Sequence, residues 1–190
     1  MSPRQIAAFA IGPIGGAVLG LISLPIITWF FSQEDVGRMA MLQVTLGFSI
    51  LLFSLGLDQS YVREFHEAGN KPALFKRAML PGLALLVVTV VVLLSLGGKL
   101  AGWLFGVPAW HLSVLVAVAL VASYISRFLS LVLRMNERGL AFSMSQLLPK
   151  LLLLVIIGGY VAVGADKDLT NLVLANTAAI AFVCAIYGWN

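Results

Sequence analysis

Apolar residues along this chain gather in long unbroken runs, without the one-sided or alternating patterns of elements that face water. Six such runs, about 6–31, 39–57, 78–96, 112–133, 140–163 and 169–189, are separated by short polar segments. A helix needs about 20 apolar residues to cross a bilayer, whereas the strands of a membrane barrel alternate over segments of about ten. The predicted fold class is therefore all-α: an integral membrane bundle of six transmembrane helices, read as a single unit over residues 1–190.

Composition removes the soluble alternative. Hydrophobic residues make up 61% of the chain and charged residues only 11%, with a mean hydropathy of +1.02, so the polar surface of a water-soluble domain is missing. The opening run is longer than the core of a secretory signal and reads as a retained helix. Cys184 is the single cysteine, so no disulfide forms within the chain. The formal charge of +4 is mostly a bias between loops, and nucleic acid is not an expected partner.

Cytoplasmic loops retain Lys and Arg during insertion. With the N-terminus inside, the inner segments hold Arg4, Arg63, Lys71, Lys76, Arg77, Arg134 and Arg138, against Arg38, Lys99 and Lys167 outside. Two of those outer loops are further neutralised by Glu34 and Asp35 or by Asp166 and Asp168. Trp29, Trp103, Trp110 and Tyr160 then fall near the outer interface, and Tyr61, Tyr187 and Trp189 near the inner one, as an aromatic belt requires. The predicted location is a multi-pass protein of the inner (plasma) membrane with a cytoplasmic N-terminus. The chain stops at Asn190 directly after an apolar run, and the expectation is truncation before further spans.

An enzyme is not expected. His66 and His111 are the two histidines, and the topology separates them by a bilayer of about 30 Å. HExxH, GxSxG, a glycine-rich phosphate loop and paired cysteines are all absent from the sequence, so no cofactor and no metal site is expected.

Polar residues inside the apolar runs carry more information. Ser123, Arg127, Ser130 and Arg134 recur at helical spacing in the fourth run, and Ser143, Gln146 and Lys150 in the fifth. Gln43, Ser54 and Asp58 share a face of the second, with Gly47 between them. Lipid penalises such seams, so they should face one another or water. Lys150 lies about 15 Å into its span, near mid-bilayer, where a lone ammonium costs at least roughly 2.5–3.5 kcal/mol. It requires a structural partner or an aqueous cavity. Arg127 is about 10 Å from the inner end, within reach of the headgroups. Asp58 with Arg63 reads as an interfacial ion pair, and Lys71, Lys76 and Arg77 as topology signal plus attraction to anionic membrane lipids. Ala8, Gly12, Gly16 and Gly20 form a small-residue stripe suited to close helix packing. Pro13 and Pro25 should bend the first helix, Pro149 frees the carbonyl of Ser145, and Pro81 is expected in the first turn of the third.

The segment Gly56-Leu57-Asp58-Gln59-Ser60-Tyr61-Val62-Arg63-Glu64-Phe65-His66-Glu67 resembles the oligosaccharide (O-antigen and polysaccharide) flippases of the multidrug/oligosaccharidyl-lipid/polysaccharide exporter superfamily. Leu19–Thr28, Ser32–Gln43 and Leu133–Lys150 extend the similarity in the same order. The resemblance implies one lobe of a two-lobe transporter, the N-terminal half, rocking against a missing C-terminal lobe or a second copy. It implies flipping of a polyprenyl-pyrophosphate-linked oligosaccharide for surface polysaccharide such as lipopolysaccharide O-antigen. Cavity cations would hold the pyrophosphate, with Lys150 and Arg127 attracting it and Gln43, Ser123, Gln146 and Asp58 as further cavity candidates. The first run carries no charge, unlike the arginine-bearing peptidoglycan-precursor flippases and the acid-bearing drug exporters. A multidrug-type exporter lobe and a non-transporting scaffold or fragment stand as the alternatives.

Overall fold

A computed structural model describes residues 3–164 and 166–189, with side chains from Ala7 onward. The side chain of Arg4, counted above among the inner cations, and Asn190 lie outside the described residues. The chain forms α1 (Pro3–Phe30), α2 (Gln33–Ser54), α3 (Leu57–Glu64), α4 (Lys71–Ser95), α5 (Lys99–Phe105), α6 (Trp110–Met135), α7 (Gly139–Val163) and α8 (Leu169–Trp189). Six of them, α1, α2, α4, α6, α7 and α8, are long and apolar enough to cross a membrane. This is a multi-pass, all-helical membrane bundle.

Local chemistry explains the boundaries. Ser32 caps α2 by accepting the Asp35 N–H at 3.1 Å, with Glu34 and Asp35 in the first turn, where the helix dipole favours acids. Left-handed Leu55 and Gly56 (φ 51° and 74°) end α2 and start the short α3. Asn70 caps α4 by accepting from the Ala73 N–H at 3.0 Å, and Pro72 occupies the early position that tolerates proline.

That cap corrects two expectations. Pro81 is inside α4 and not in its first turn, because Asn70 and Pro72 already begin the helix ten residues earlier. The connection expected as a polar loop over 58–77 is instead α3, a short turn and the first two turns of α4. The break at Leu55–Gly56 also separates Asp58 from Gln43, which were expected to share one helical face. Beyond the spans, α5 adds a seven-residue helix at the other end of the bundle.

The core is built around α6. Its buried residues Leu112, Val116, Leu120, Tyr124, Phe128 and Leu131 repeat every three or four positions, and they share one core with Leu172 and Val173 of α8 and Leu86 of α4. Tyr124 fills the junction of α2, α4 and α6. Its hydroxyl donates to the carbonyl of Met79 at 3.3 Å and more weakly to that of Phe53 at 3.5 Å, the latter an orphan carbonyl at the end of α2. Gly82 makes this junction possible, since a Cβ there would lie 2.0 Å from the Phe53 oxygen.

Among the described residues, Arg63, Lys71, Lys76, Arg77, Arg134 and Arg138 cluster at the end of the bundle where α1 begins, here termed the basic end. At the opposite end Arg38 pairs with Glu34 (2.6 Å) and Asp35 (3.3 Å) and donates to the last carbonyl of α5, Phe105, at 2.9 Å. Tyr61, expected at an interface, is buried against Phe65 and Phe75, and burial raises its phenol above the ordinary value.

A cationic cavity between α1, α2, α7 and α8

α1 packs along α7 far more closely than along its chain neighbour α2. The glycine stripe is the reason. A Cβ on Gly12 would stand 2.8 Å from the Cα of Ser143, closer than real atoms approach. At that crossing Ser143 inserts into the helix: its hydroxyl donates to the carbonyl of Ala8 and accepts the N–H of Gly12 at 2.9 Å. Two turns further along the same face of α7, Lys150 reaches α1 by donating from Nζ to the carbonyl of Gly16 at 2.5 Å. A Cβ on Gly16 or Gly20 would stand 3.5 or 3.8 Å from that ammonium, an ordinary contact distance, so both glycines flank the cation without being crowded by it.

Because α1 follows α7, a gap opens between α1 and α2. It is a cavity of about 600 Å³, walled by the four helices and lined mostly by aliphatic side chains. Its polar groups are Lys150 and Gln146 from α7, Gln43 from α2, Asn176 from α8 and Ser23 from α1. Lys150 sits about 16 Å from the Gly139 end of its helix at 1.5 Å per residue, hence near mid-span. Its ammonium makes no ion pair among the described residues, and no Asp or Glu lines the cavity. The described groups facing an incoming ligand are one cation, three amides and a hydroxyl, which suits an anion attached to a polar body.

Of the six sequence candidates, Gln43, Gln146 and Lys150 line this cavity. The others lie elsewhere. Arg127 of α6 pairs with Asp58 of α3 at 3.6 Å toward the basic end, which corrects the expected Asp58–Arg63 pair: the left-handed turn at Leu55–Gly56 redirects α3 so that Asp58 meets α6. Ser123 is half-buried on α6 and outside the cavity lining. Ser130 shares a 3.0 Å hydrogen bond with Ser145, tying α6 to α7 at the residue whose carbonyl Pro149 frees.

Sequence reasoning missed Asn176 and Ser23. Ser23 satisfies itself on the carbonyl of Leu19 at 2.5 Å. Asn176 is buried and accepts from Nε2 of Gln43 at 3.0 Å, joining α8 to α2. A signal for it was present, since an amide in the middle of an apolar span is costly unless it has a partner or a task. Among the described residues no three His, Cys, Asp or Glu side chains gather as metal ligands would.

Comparison with curated proteins and with solved structures yields no significant match. The family model described as polysaccharide biosynthesis protein matches residues 4–189, which includes every helix that walls the cavity. The membrane bundle, the unpaired cation at its mid-depth and this end-to-end match agree, and the chain belongs to the polysaccharide biosynthesis protein family.

Proposed function

We propose that this chain is one lobe of a flippase that carries a polyprenyl-pyrophosphate-linked oligosaccharide across the inner membrane by alternating access, with its N-terminus in the cytoplasm. The single observation that carries the reading is Lys150: an ammonium near mid-span, open to the cavity and held, among the described residues, by the Gly16 carbonyl without an ion pair. A carbonyl partner holds a cation without neutralising it. A pyrophosphate entering this low-dielectric site gains a charge-assisted contact that lipid does not offer.

The partners proposed are the lipid-linked oligosaccharide, the surrounding lipids and a facing lobe, either in the same polypeptide or from a second copy, that closes the open side of the cavity. Arg127 and the basic end then serve approach, through attraction of phosphate to a surface rich in Arg and Lys. No covalent step is involved. A cationic-drug exporter fits less well, because the lining described offers no carboxylate to a cation.

The test is surface polysaccharide in cells that depend on this protein for export. Lys150→Ala is expected to reduce surface polymer at least tenfold while the lipid-linked precursor accumulates inside, and Lys150→Arg to retain part of the activity. Normal export by Lys150→Ala overturns the anchor. Efflux of cationic dyes with unchanged polysaccharide would replace the whole reading with the drug-exporter one.

A further inference from the structure

The cavity contains a second polar feature that charge attraction does not use. Asn176 is 4% exposed, and its Nδ2 is buried with no hydrogen-bond partner. Its Oδ1 is occupied by Nε2 of Gln43, whose side chain is exposed to the cavity. That one bond leaves Gln43 Oε1 as an uncommitted acceptor and Asn176 Nδ2 as an uncommitted donor. Turning both amides over preserves the complement, with Asn176 Oδ1 accepting and Gln43 Nε2 donating.

A buried amide left half-used is costly, about 1–3 kcal/mol for an unsatisfied group, and a simple α2–α8 tie would be satisfied better by a residue with one polar atom. A paired donor and acceptor is the complement of a sugar hydroxyl, which gives one hydrogen bond and takes another, and of an acetamido group, which does the same through N–H and C=O. The pair lines the same cavity as Lys150 from other helices, α2 and α8, whereas Lys150 stands on α7. Phosphate and sugar therefore have separate partners within one cavity.

We infer that Gln43 and Asn176 form the subsite for the first sugar of the lipid-linked oligosaccharide, Gln43 contacting the ring substituent and Asn176 fixing the orientation of the Gln43 amide while supplying a second polar group. This rests on the flippase reading above and adds a discriminating element to it: Lys150 recognises the pyrophosphate common to all such carriers, and the amide pair reads what is attached. Nδ2 is buried, so Asn176 acts through the bond that orients the Gln43 amide, and a sugar meets Nδ2 only where that bond opens.

Two probes separate these roles: a short-chain prenyl pyrophosphate, and the same compound carrying one N-acetylhexosamine. Affinities for both are measured on the full protein in lipid nanodiscs. The intact protein is expected to prefer the sugar-bearing probe by about three- to tenfold, the size of one or two hydrogen bonds. Gln43→Ala and Asn176→Ala should bring the ratio of the two affinities close to one. Lys150→Ala should weaken both probes and leave the ratio in place. Equal affinities in the intact protein, or a ratio that survives in both amide variants, overturns the subsite while the pyrophosphate anchor stands. Failure of either probe to bind the intact protein overturns the flippase reading itself. Asn176→Asp keeps the shape and the acceptor but removes the amide donor. If Asn176→Ala does not fold, a ratio in Asn176→Asp equal to that of the intact protein overturns the role of Asn176.

Discussion

The α6–α8 pair and the α1–α7 pair make the most extensive helix contacts in the bundle, yet they are held by different physics. In the membrane-crossing window of α6 half the residues are buried, and 44% in α8, against 22% in α1 and 17% in α7. α6 and α8 interlock mainly through buried leucine, valine and alanine side chains, with one long hydrogen bond from the Thr177 hydroxyl to the Leu115 carbonyl at 3.4 Å, and are surrounded by other helices. α1 and α7 meet along a glycine seam where a serine hydroxyl and a lysine of α7 bond to the backbone of α1, and they leave much of their remaining surface open. Close approach and burial are therefore separable in a bilayer. Lipid tails are as apolar as leucine, so small residues and hydrogen bonds, not the hydrophobic effect, draw two helices together there. A pair joined in that way is close along one seam and free elsewhere, which is what the wall of a cavity requires.

If the α6 junction is the rigid part, its failure should be the most damaging. Gly82→Ala places a methyl group 2.0 Å from the Phe53 carbonyl oxygen and 2.2 Å from the Tyr124 hydroxyl. We expect a loss beyond about 3 kcal/mol, at the upper end of overpacking costs, read as loss of the monodisperse protein from detergent extracts. Adding Tyr124→Phe removes only the second clash, so recovery should be incomplete. Full recovery in that double variant would show that α2 and α4 do not approach as closely as described.

On the other seam, Gly12→Ala crowds the Cα of Ser143 and should cost about 1–3 kcal/mol in a thermal melt. Gly47→Ala is its control. Gly47 lies on an exposed face of α2 with nothing within 4 Å, and alanine there should be neutral or stabilising by up to about 1 kcal/mol through helix propensity. Equal behaviour of the two variants would dissolve the distinction between a glycine that permits contact and one that merely faces open space.

The smallest effect is expected at Asp58→Asn. Its pairing with Arg127 is at 3.6 Å, with Arg127 half exposed, and such pairs contribute roughly 0.2–1 kcal/mol, less at high salt. A melting change that persists undiminished in 1 M salt would mean that Asp58 acts through something other than this pair.

The apolar runs by themselves determined the architecture, because a bilayer leaves a chain almost no choice but helices of fixed length. The six spans, the bias of cations to one end, the packing role of the glycine stripe at Gly12 and the depth of Lys150 in its span were all readable from spacing. Helix starts were less so: Asn70 and Pro72 begin α4 well before the apolar run does, because a cap is a local hydrogen bond that hydropathy does not register. The site required the fold. Periodicity shows that Arg127 and Lys150 each lie on a polar face, but not that one turns to α3 and the other to α1, since that depends on how helices distant in sequence pack. Two left-handed residues at Leu55 and Gly56 decide the first, and the close crossing of α1 and α7 at Gly12 and Ser143, which brings the Gly16 carbonyl within reach of Lys150, decides the second. Asn176 was visible as a polar residue in an apolar helix, and only the crossing of α2 and α8, 133 positions apart in sequence at their shared hydrogen bond, gave it a partner and a cavity to face.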